Sequence, residues 1–302
     1  DFRQIPDMKN KWDNLSGNSS DNYLTYRSIM FWVKTDGNIN DYNQVRKRTI
    51  EYFVEDTINF NIKNGKPPPE FDIARILYTL FKDRFTCVSI KNGIWFEFKK
   101  NKWIEIDSGN TLRIQLSKDV HKLYLTKMQE AINKLCETSE DDPEAKLQRG
   151  RASAATTIAF MLKKTTDKNN IMREAKELFY DKDFMDMIDM NPYLLGFNNG
   201  VFDFKENRFR AGKPDDYLTK STNIDYIPIE KYEEKESGKK LLTTIKTFIK
   251  QLFPIKDLEN YMWDHLASCL IGTNENQTFN IYTGSGRNGK SMLVSLMTKT
   301  LG

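Results

Sequence analysis

The stretch of sequence that decides the fold reads QTFNIYTGSGRNGKSMLVSLMTKTL and occupies residues 277–301. Its first part, 277–283, is a short β-prone run that predicts a strand. Its last part repeats apolar residues at helical spacing over 292–297, which predicts a helix. Between them, GSGRNGKS at 284–291 matches the pattern G-x-x-x-x-G-K-[ST] of phosphate-binding loops, in the required order of strand, loop and helix. The alternative is a glycine-rich turn that only joins a strand to a helix.

Each residue type in this loop has a physical reason. Glycines permit backbone conformations that a side chain would block, so that successive amides can point at a phosphate. A helix that begins near Lys290 adds its unpaired amides and the positive end of its dipole. We expect Lys290 to reach the β- and γ-phosphates of ATP as the catalytic residue, and Ser291 to bind Mg²⁺. The predicted nucleotide-binding residues are Gly284, Ser285, Gly286, Arg287, Asn288, Gly289, Lys290 and Ser291.

Upstream of the loop, helical patterns alternate with two hairpin patterns. The predicted hairpins pair 94–98 with 103–106 around the loop 99–102, and 200–204 with 208–210 around 205–207. Two helices are predicted between Tyr23 and Ile62, separated by a turn at 36–38. A helix over 71–81 and an amphipathic helix over 112–135 follow, and further helices run from Pro143, with Asp142 as cap, to about Met190. The last two predicted helices before the loop are 241–253 and 258–270.

Two breaks divide the sequence into three predicted parts. Pro67-Pro68-Pro69 stops any helix, because each ring removes an amide donor. The charged run EKYEEKESGKK at 230–240 is typical of a connector. The parts are 1–66, a linker and helical segment whose first 20 or so residues form a polar arm; 67–230, a mixed α+β domain; and 231–302, the segment with the loop.

Composition excludes several classes of protein. The chain has 302 residues, with 46 basic and 42 acidic side chains, so its formal charge of +4 permits a polyanionic partner without requiring one. Three distant cysteines and two histidines offer neither a disulfide framework nor a cysteine zinc site. No apolar run reaches the roughly 18 residues of a membrane span, and the sequence contains no stretch with the charged and apolar regions of a signal peptide.

Other residues admit a functional and an ordinary interpretation, and the ordinary one is favoured for each. Asp181 and Asp183 could form a metal-binding pair, but a solvated helix end is the simpler explanation. His121 and His265 fit packing or surface roles. The basic residues Arg149, Arg151, Lys163 and Lys164 could follow a DNA backbone, and Trp95, Phe96, Phe98 and Trp103 could stack on unpaired bases, although a solvated face and a hairpin core are the simpler explanations.

The loop and a second block together resemble one family. The string QTFNIYTGSGRNGKS, with Asn before the last glycine, resembles superfamily 3 helicases, in particular the poxvirus-type primase-helicases of nucleocytoplasmic large DNA viruses. Residues 191–226, NPYLLGFNNGVFDFKENRFRAGKPDDYLTKSTNIDY, are similar to the end of the domain that precedes the helicase in those proteins and in phage and plasmid relatives.

The resemblance implies an α+β fold class: a mixed helical pre-helicase domain with β-hairpins, then a helical collar and the start of a P-loop α/β ATPase of the AAA+ type. It implies ATP and Mg²⁺ as cofactors, DNA as a single strand or fork, a homo-hexamer, other replication proteins as partners, and a place in the host cytoplasm or virion. The family's acidic Walker B strand, sensor and arginine finger follow the loop, so we expect them outside this chain, which alone should hydrolyse little ATP.

Two other functions stay open at this point. One is that the chain acts as a non-catalytic oligomerisation and DNA-binding module. The other is a P-loop phosphotransferase, although in those enzymes the loop usually lies near the start of the domain.

Overall fold

The computed structural model describes residues 39–139, 142–274, 277–284 and 286–302. Helices and small antiparallel sheets alternate along the chain, so the α+β class expected from the sequence is confirmed. The strands are β1 (Phe85–Ser89), β2 (Ile94–Lys99), β3 (Lys102–Asp107), β4 (Leu194–Phe197), β5 (Gly200–Asp203) and β6 (Arg208–Arg210). The α-helices are α1 (Ile39–Asn64), α2 (Glu70–Phe81), α3 (Asn110–Gln115), α4 (His121–Glu137), α5 (Pro143–Met161), α6 (Thr165–Leu178), α7 (Phe184–Met187), α8 (Ile229–Glu233), α9 (Glu236–Leu252), α10 (Lys256–Ser268) and α11 (Lys290–Leu301).

The chain divides into two compact units. Of the described residues, those up to Leu80 and those in Ile114–Ala175 form the first unit, and those in Phe81–Arg113 and Lys176–Gly302 form the second. Neither unit ends at residue 66 or 230, so the three-part division of the sequence stays a prediction.

The first unit is helical. Helix α5 packs along α4 and α1, and its buried face meets those of the other two helices. Tyr124 of α4 is fully buried, and its hydroxyl lies 2.8 Å from the hydroxyl of Thr57 in α1. Burial raises the pKa of the Tyr124 phenol. Helix α5 begins as predicted, with the Asp142 carboxylate accepting from the amide of Glu144 at 2.8 Å and Pro143 in the first turn.

The amphipathic helix predicted over 112–135 is interrupted. Residues Leu116–Val120 form a π-helical turn between α3 and α4. The wider turn buries both Leu116 and Val120 completely. Ser117 donates its hydroxyl to the carbonyl of Leu162 at 2.8 Å, and its own carbonyl accepts from Lys163 at 2.7 Å. Such turns arise where tertiary contacts replace helix hydrogen bonds, which periodicity alone does not show.

In the second unit, strands β1, β2 and β3 form one antiparallel sheet. The first predicted hairpin is confirmed, but its four-residue loop was wrong: Lys99 pairs with Lys102, which leaves a two-residue turn. Lys100 and Asn101 have φ of 51° and 64°, the left-handed values that match the twist of a tight hairpin. Strand β1 was not predicted; it pairs with its neighbour β2, and Cys87 on it also forms an isolated bridge with the distant Tyr180.

The second predicted hairpin is confirmed as β5 and β6, and β4 pairs on the other side of β5. Arg210 of β6 forms ion pairs with Asp216 at 2.8 Å and with Asp203 at 3.3 Å. These largely buried ion pairs fix the loop that follows β6 to the sheet.

The charged run 230–240 is not an open connector, so that prediction was wrong. It forms α8 and the beginning of α9. Gly238 is buried in the first turn of α9, and a Cβ there would overlap the carbonyl of Tyr232. The glycine therefore permits close helix packing and does not mark a linker. The predicted helices 241–253 and 258–270 are confirmed as parts of α9 and α10.

The remaining predictions concern the ends of the described ranges. The second helix of the Tyr23 to Ile62 pair is confirmed as α1, whereas the first, with its turn at 36–38, lies outside the described residues, as does the polar arm.

Residues 277–284 belong to no strand, contrary to the prediction. A strand needs a neighbouring strand for its hydrogen bonds, and neither of the two sheets in the described part of the chain pairs with this run. None of the helices in the described ranges combines the length and the apolar character that crossing a membrane requires.

Candidate functional site

The glycine loop leads directly into helix α11. Gly289 caps the helix in a left-handed conformation, with φ 81°, and its carbonyl accepts the first helical hydrogen bond from Leu293 at 3.0 Å. A residue with a side chain is strained at this φ, so a glycine at this position explains why the helix begins at Lys290. The helix predicted from the spacing of apolar residues is confirmed.

The loop backbone turns repeatedly through the left-handed region. Gly286 has φ 95° and Arg287 has φ 52°, followed by Gly289 at the cap. Alternation through this region is what lets neighbouring amides converge on one anion. Ser285 lies outside the described residues.

Gly284, Asn288 and Lys290 lie close together in the loop. The Lys290 ammonium donates to the Asn288 side-chain carbonyl at 2.7 Å. A Cβ on Gly284 would overlap the Asn288 amide and lie 2.8 Å from the Lys290 nitrogen. Gly284 therefore leaves the space in which Asn288 and Lys290 lie. Ser291 is exposed in the first turn of α11, and Arg287 is exposed in the loop.

The segment that contains the loop carries only positively charged side chains. Residues 277–302 contain Arg287, Lys290 and Lys299 and no acidic residue. Backbone amides at a helix N-terminus together with a lysine ammonium are groups that bind phosphates. The loop therefore has the charge and the donors for an anionic ligand.

A small hydrophobic core supports the loop from behind. Ile249 of α9, Met262 and Leu266 of α10, and Leu293 of α11 are buried together, and we call these four residues the collar cluster. Gly289 approaches the same core, because a Cβ there would lie 2.9 Å from the Leu252 methyl. Docking of α11 on α9 and α10 thus fixes where the loop ends. These contacts join residues between 27 (Leu266 to Leu293) and 44 (Ile249 to Leu293) positions apart, and no local pattern indicates them.

A second support holds the segment before the loop. His265 of α10 lies 2.6 Å from the Tyr282 hydroxyl through its Nε2 atom, and its ring stacks on Tyr261. Tyr261 in turn donates to the Asn280 side chain at 3.2 Å. Burial raises the pKa of Tyr282, with further contributions from Cys269 and Tyr261. His265 therefore has the packing role that the sequence favoured.

The other candidate residues lie away from the loop in sequence and have structural partners. Asp181 accepts from the amide of Asp183 at 3.2 Å in a turn. Within the described ranges no three His, Cys, Asp or Glu side chains are grouped as metal ligands. His121 begins α4, and burial, with Lys163 nearby, lowers its pKa.

The basic residues considered for DNA contact are only in part available. Arg151 forms an ion pair with Glu55 at 2.5 Å, and Lys163 donates to Ser117, whereas Lys164 is exposed. The aromatic residues of the first hairpin are not a stacking platform. Trp95 is fully buried, and Phe96 and Trp103 pack with Phe184 in a core, with Phe98 beside them.

The fold and this site together define an α+β protein with a glycine loop of the phosphate-binding pattern docked on a pair of helices. The chain belongs to the family described as "D5 N terminal like", whose model matches residues 74–254. The resemblance to the primase-helicases of large DNA viruses is thereby confirmed.

Relatives from three large DNA viruses support this assignment. A protein of Acanthamoeba polyphaga mimivirus named "Putative helicase" is 38% identical over 242 residues, which cover 80% of this chain and 24% of that protein. A "Putative helicase" of Frog virus 3 is 23% identical in an alignment 312 positions long, gaps included, that covers 76% of this chain and 32% of that protein. A "Putative primase" of African swine fever virus is 22% identical in an alignment 313 positions long, gaps included, that covers 98% of this chain and 31% of that protein. The chain thus spans about a quarter to a third of the length of these relatives.

Proposed function

We propose that this chain is part of a viral replicative primase-helicase of superfamily 3, in which ATP hydrolysis at residues 284–291 drives the unwinding of DNA. The observation on which the proposal rests is the glycine loop itself: three left-handed residues in front of α11, with Lys290 in its first turn. The names of the relatives, helicase and primase, favour this function over a small-molecule phosphotransferase.

The described residues fit a nucleoside triphosphate and its Mg²⁺ ion. The amides from Gly286 to Lys290 are the donors that would bind the phosphate oxygens. The Lys290 ammonium would exchange its Asn288 contact for the β- and γ-phosphates, and the exposed Ser291 hydroxyl would bind the metal ion. Bound Mg·ATP would supply a γ-phosphoryl group for transfer to water. The chain holds that group in place and neutralises its charge.

The helices behind the loop suggest how hydrolysis is linked to the rest of the protein. Helices α9 and α10 form the collar cluster with α11, so a shift of the loop is transmitted to them through buried side chains. We assign these helices to the collar of a homo-hexamer that encircles DNA, with other replication proteins as further partners in the viral replication factory.

The test is DNA-stimulated ATP hydrolysis by the whole protein. Lys290→Ala should lower the rate on the order of a hundredfold, because it removes the charge that faces the γ-phosphate. Lys299→Ala, at the far end of the same helix, is the matched control and should keep the rate of the unmodified protein. Hydrolysis by Lys290→Ala at the rate of Lys299→Ala would refute the proposal.

A further inference from the structure

Helices α9 and α10 border an open groove of about 390 Å³ on the surface of the second unit. We call it the lysine groove. It is lined by Lys246, Thr247 and Lys250 of α9 and by Lys256, Glu259 and Trp263 of α10.

The groove is positively charged. Lys246 and Lys250 are exposed and stand one helical turn apart, about 6 Å along α9. In the described part of the chain no carboxylate forms an ion pair with either of them. Lys256 lies 3.1 Å from Glu259, whose side chain is only 14% exposed, so that pair is partly neutralised. Three ammonium groups therefore face one carboxylate in this groove.

The groove also contains an aromatic surface. Trp263 is 39% exposed, whereas its neighbour Met262 is buried in the collar cluster. Burial of Met262 fixes the rotation of α10 and so keeps the Trp263 indole on the outer side. A large aromatic ring beside unpaired lysines is the combination with which proteins bind single-stranded nucleic acid, since the cations follow the backbone and the ring stacks on a base.

We propose that the lysine groove binds a short stretch of single-stranded DNA, with Lys246 and Lys250 on the phosphates and Trp263 stacked on an unpaired base. The proposal takes its partner from the proposed function, and it names a contact surface that the phosphate loop does not supply. Single-stranded DNA is favoured over a duplex because a paired base has no free face for the indole. It is favoured over a second copy of this chain because lysines without acidic partners match a polyanion.

The location of the groove links it to the loop. Ile249 and Met262 of the collar cluster are direct sequence neighbours of Lys250 and Trp263. One pair of helices thus presents the groove on its outer side and holds α11 on its inner side.

The test is binding of a fluorescent single-stranded oligonucleotide to the chain without nucleotide, followed by anisotropy over a range of salt concentrations. Lys246→Ala with Lys250→Ala should weaken binding and lower the salt slope by about 1.4, the value for two phosphate contacts on a single strand. The matched control is Lys239→Ala with Lys240→Ala, which removes the same charge from exposed positions of α9 outside the groove. An equal effect of both double variants would overturn the proposal.

The aromatic part has its own test. Trp263→Leu should weaken binding roughly tenfold by loss of stacking, while Trp263→Phe retains most of the affinity. Equal affinities of the Leu and Phe variants would overturn the stacking role, and preference for duplex DNA would overturn the choice of ligand. If the lysine variants alter the oligomeric state and leave DNA affinity unchanged, the groove is a contact between copies and the proposal is wrong.

Failure here is distinguishable from failure of the proposed function. Lys290→Ala should leave DNA binding without nucleotide unchanged while it lowers the rate of hydrolysis on the order of a hundredfold. Groove variants with normal DNA affinity would therefore refute the groove alone, whereas an active Lys290→Ala would refute the nucleotide site alone.

Discussion

Replacing Leu293 by alanine removes the side chain through which α11 is docked on α9 and α10. Leu293 is 3% exposed, and truncation of a buried leucine costs about 2 to 5 kcal/mol, which includes the cavity left behind. Helix α11 has only 12 residues, so without docking it is marginal in water. We therefore expect local opening of α11 rather than unfolding of the whole chain.

Hydrogen exchange followed by mass spectrometry measures this opening directly. Amides of α11 should exchange at least roughly 30-fold faster in Leu293→Ala, the factor that corresponds to about 2 kcal/mol, while amides of α5 in the other unit stay unchanged. Val294→Ala, on the neighbouring position that is 50% exposed, is the control and should exchange like the unmodified chain. If α11 in Leu293→Ala keeps the protection of Val294→Ala, the collar cluster does not hold the helix and the reasoning is refuted.

Two further predictions concern the backbone of the loop and the ion pairs of the second sheet. Gly289→Ala should destabilise α11 by about 1 to 2 kcal/mol, because alanine is strained at the left-handed φ of this position. Thermal unfolding should show a larger loss of stability for Gly289→Ala than for Gly286→Ala, because of these two positions only Gly289 would place the new methyl against Leu252. Equal losses would rule out the Leu252 contact. Burial raises the pKa of Asp203, but hydrogen bonds from two main-chain amides and from Arg210 lower this pKa by more than burial raises it. The pKa of Asp203 therefore lies below its usual value. Because the folded pKa is depressed, this stabilisation is present above about pH 4 and is lost as the pH falls through the folded pKa. The difference in unfolding free energy between the native chain and Asp203→Asn should shrink below that pH, and a constant difference in urea titrations would contradict the assignment.

Local chemistry in the sequence predicted much of the fold. Asp142 and Pro143 mark the start of α5 because a capping carboxylate and a fixed φ act within one turn. The helix after Gly289 was predictable for the same reason. In contrast, the π-helical turn at Leu116–Val120 depends on contacts with Leu162 and Lys163, far along the chain. The run 230–240 was mistaken for a connector because its charge and its glycine are typical of one, whereas Gly238 lets helices α8 and α9 meet at Tyr232.

The candidate site divides in the same way. The spacing of glycines, lysine and serine in 284–291 indicates the loop, but the contact between Lys290 and Asn288 and the approach of Gly289 to Leu252 exist only in the folded chain. The lysine groove also joins two helices, so no single window of sequence contains it.

The most direct test of the account is the structure of the whole protein with a non-hydrolysable ATP analogue and Mg²⁺. The account predicts phosphate oxygens within hydrogen-bonding distance of the amides of residues 286–290, the Lys290 ammonium turned from Asn288 to the β- and γ-phosphates, and the Ser291 hydroxyl on the metal ion. An analogue bound elsewhere, with Lys290 still held by Asn288, would contradict it.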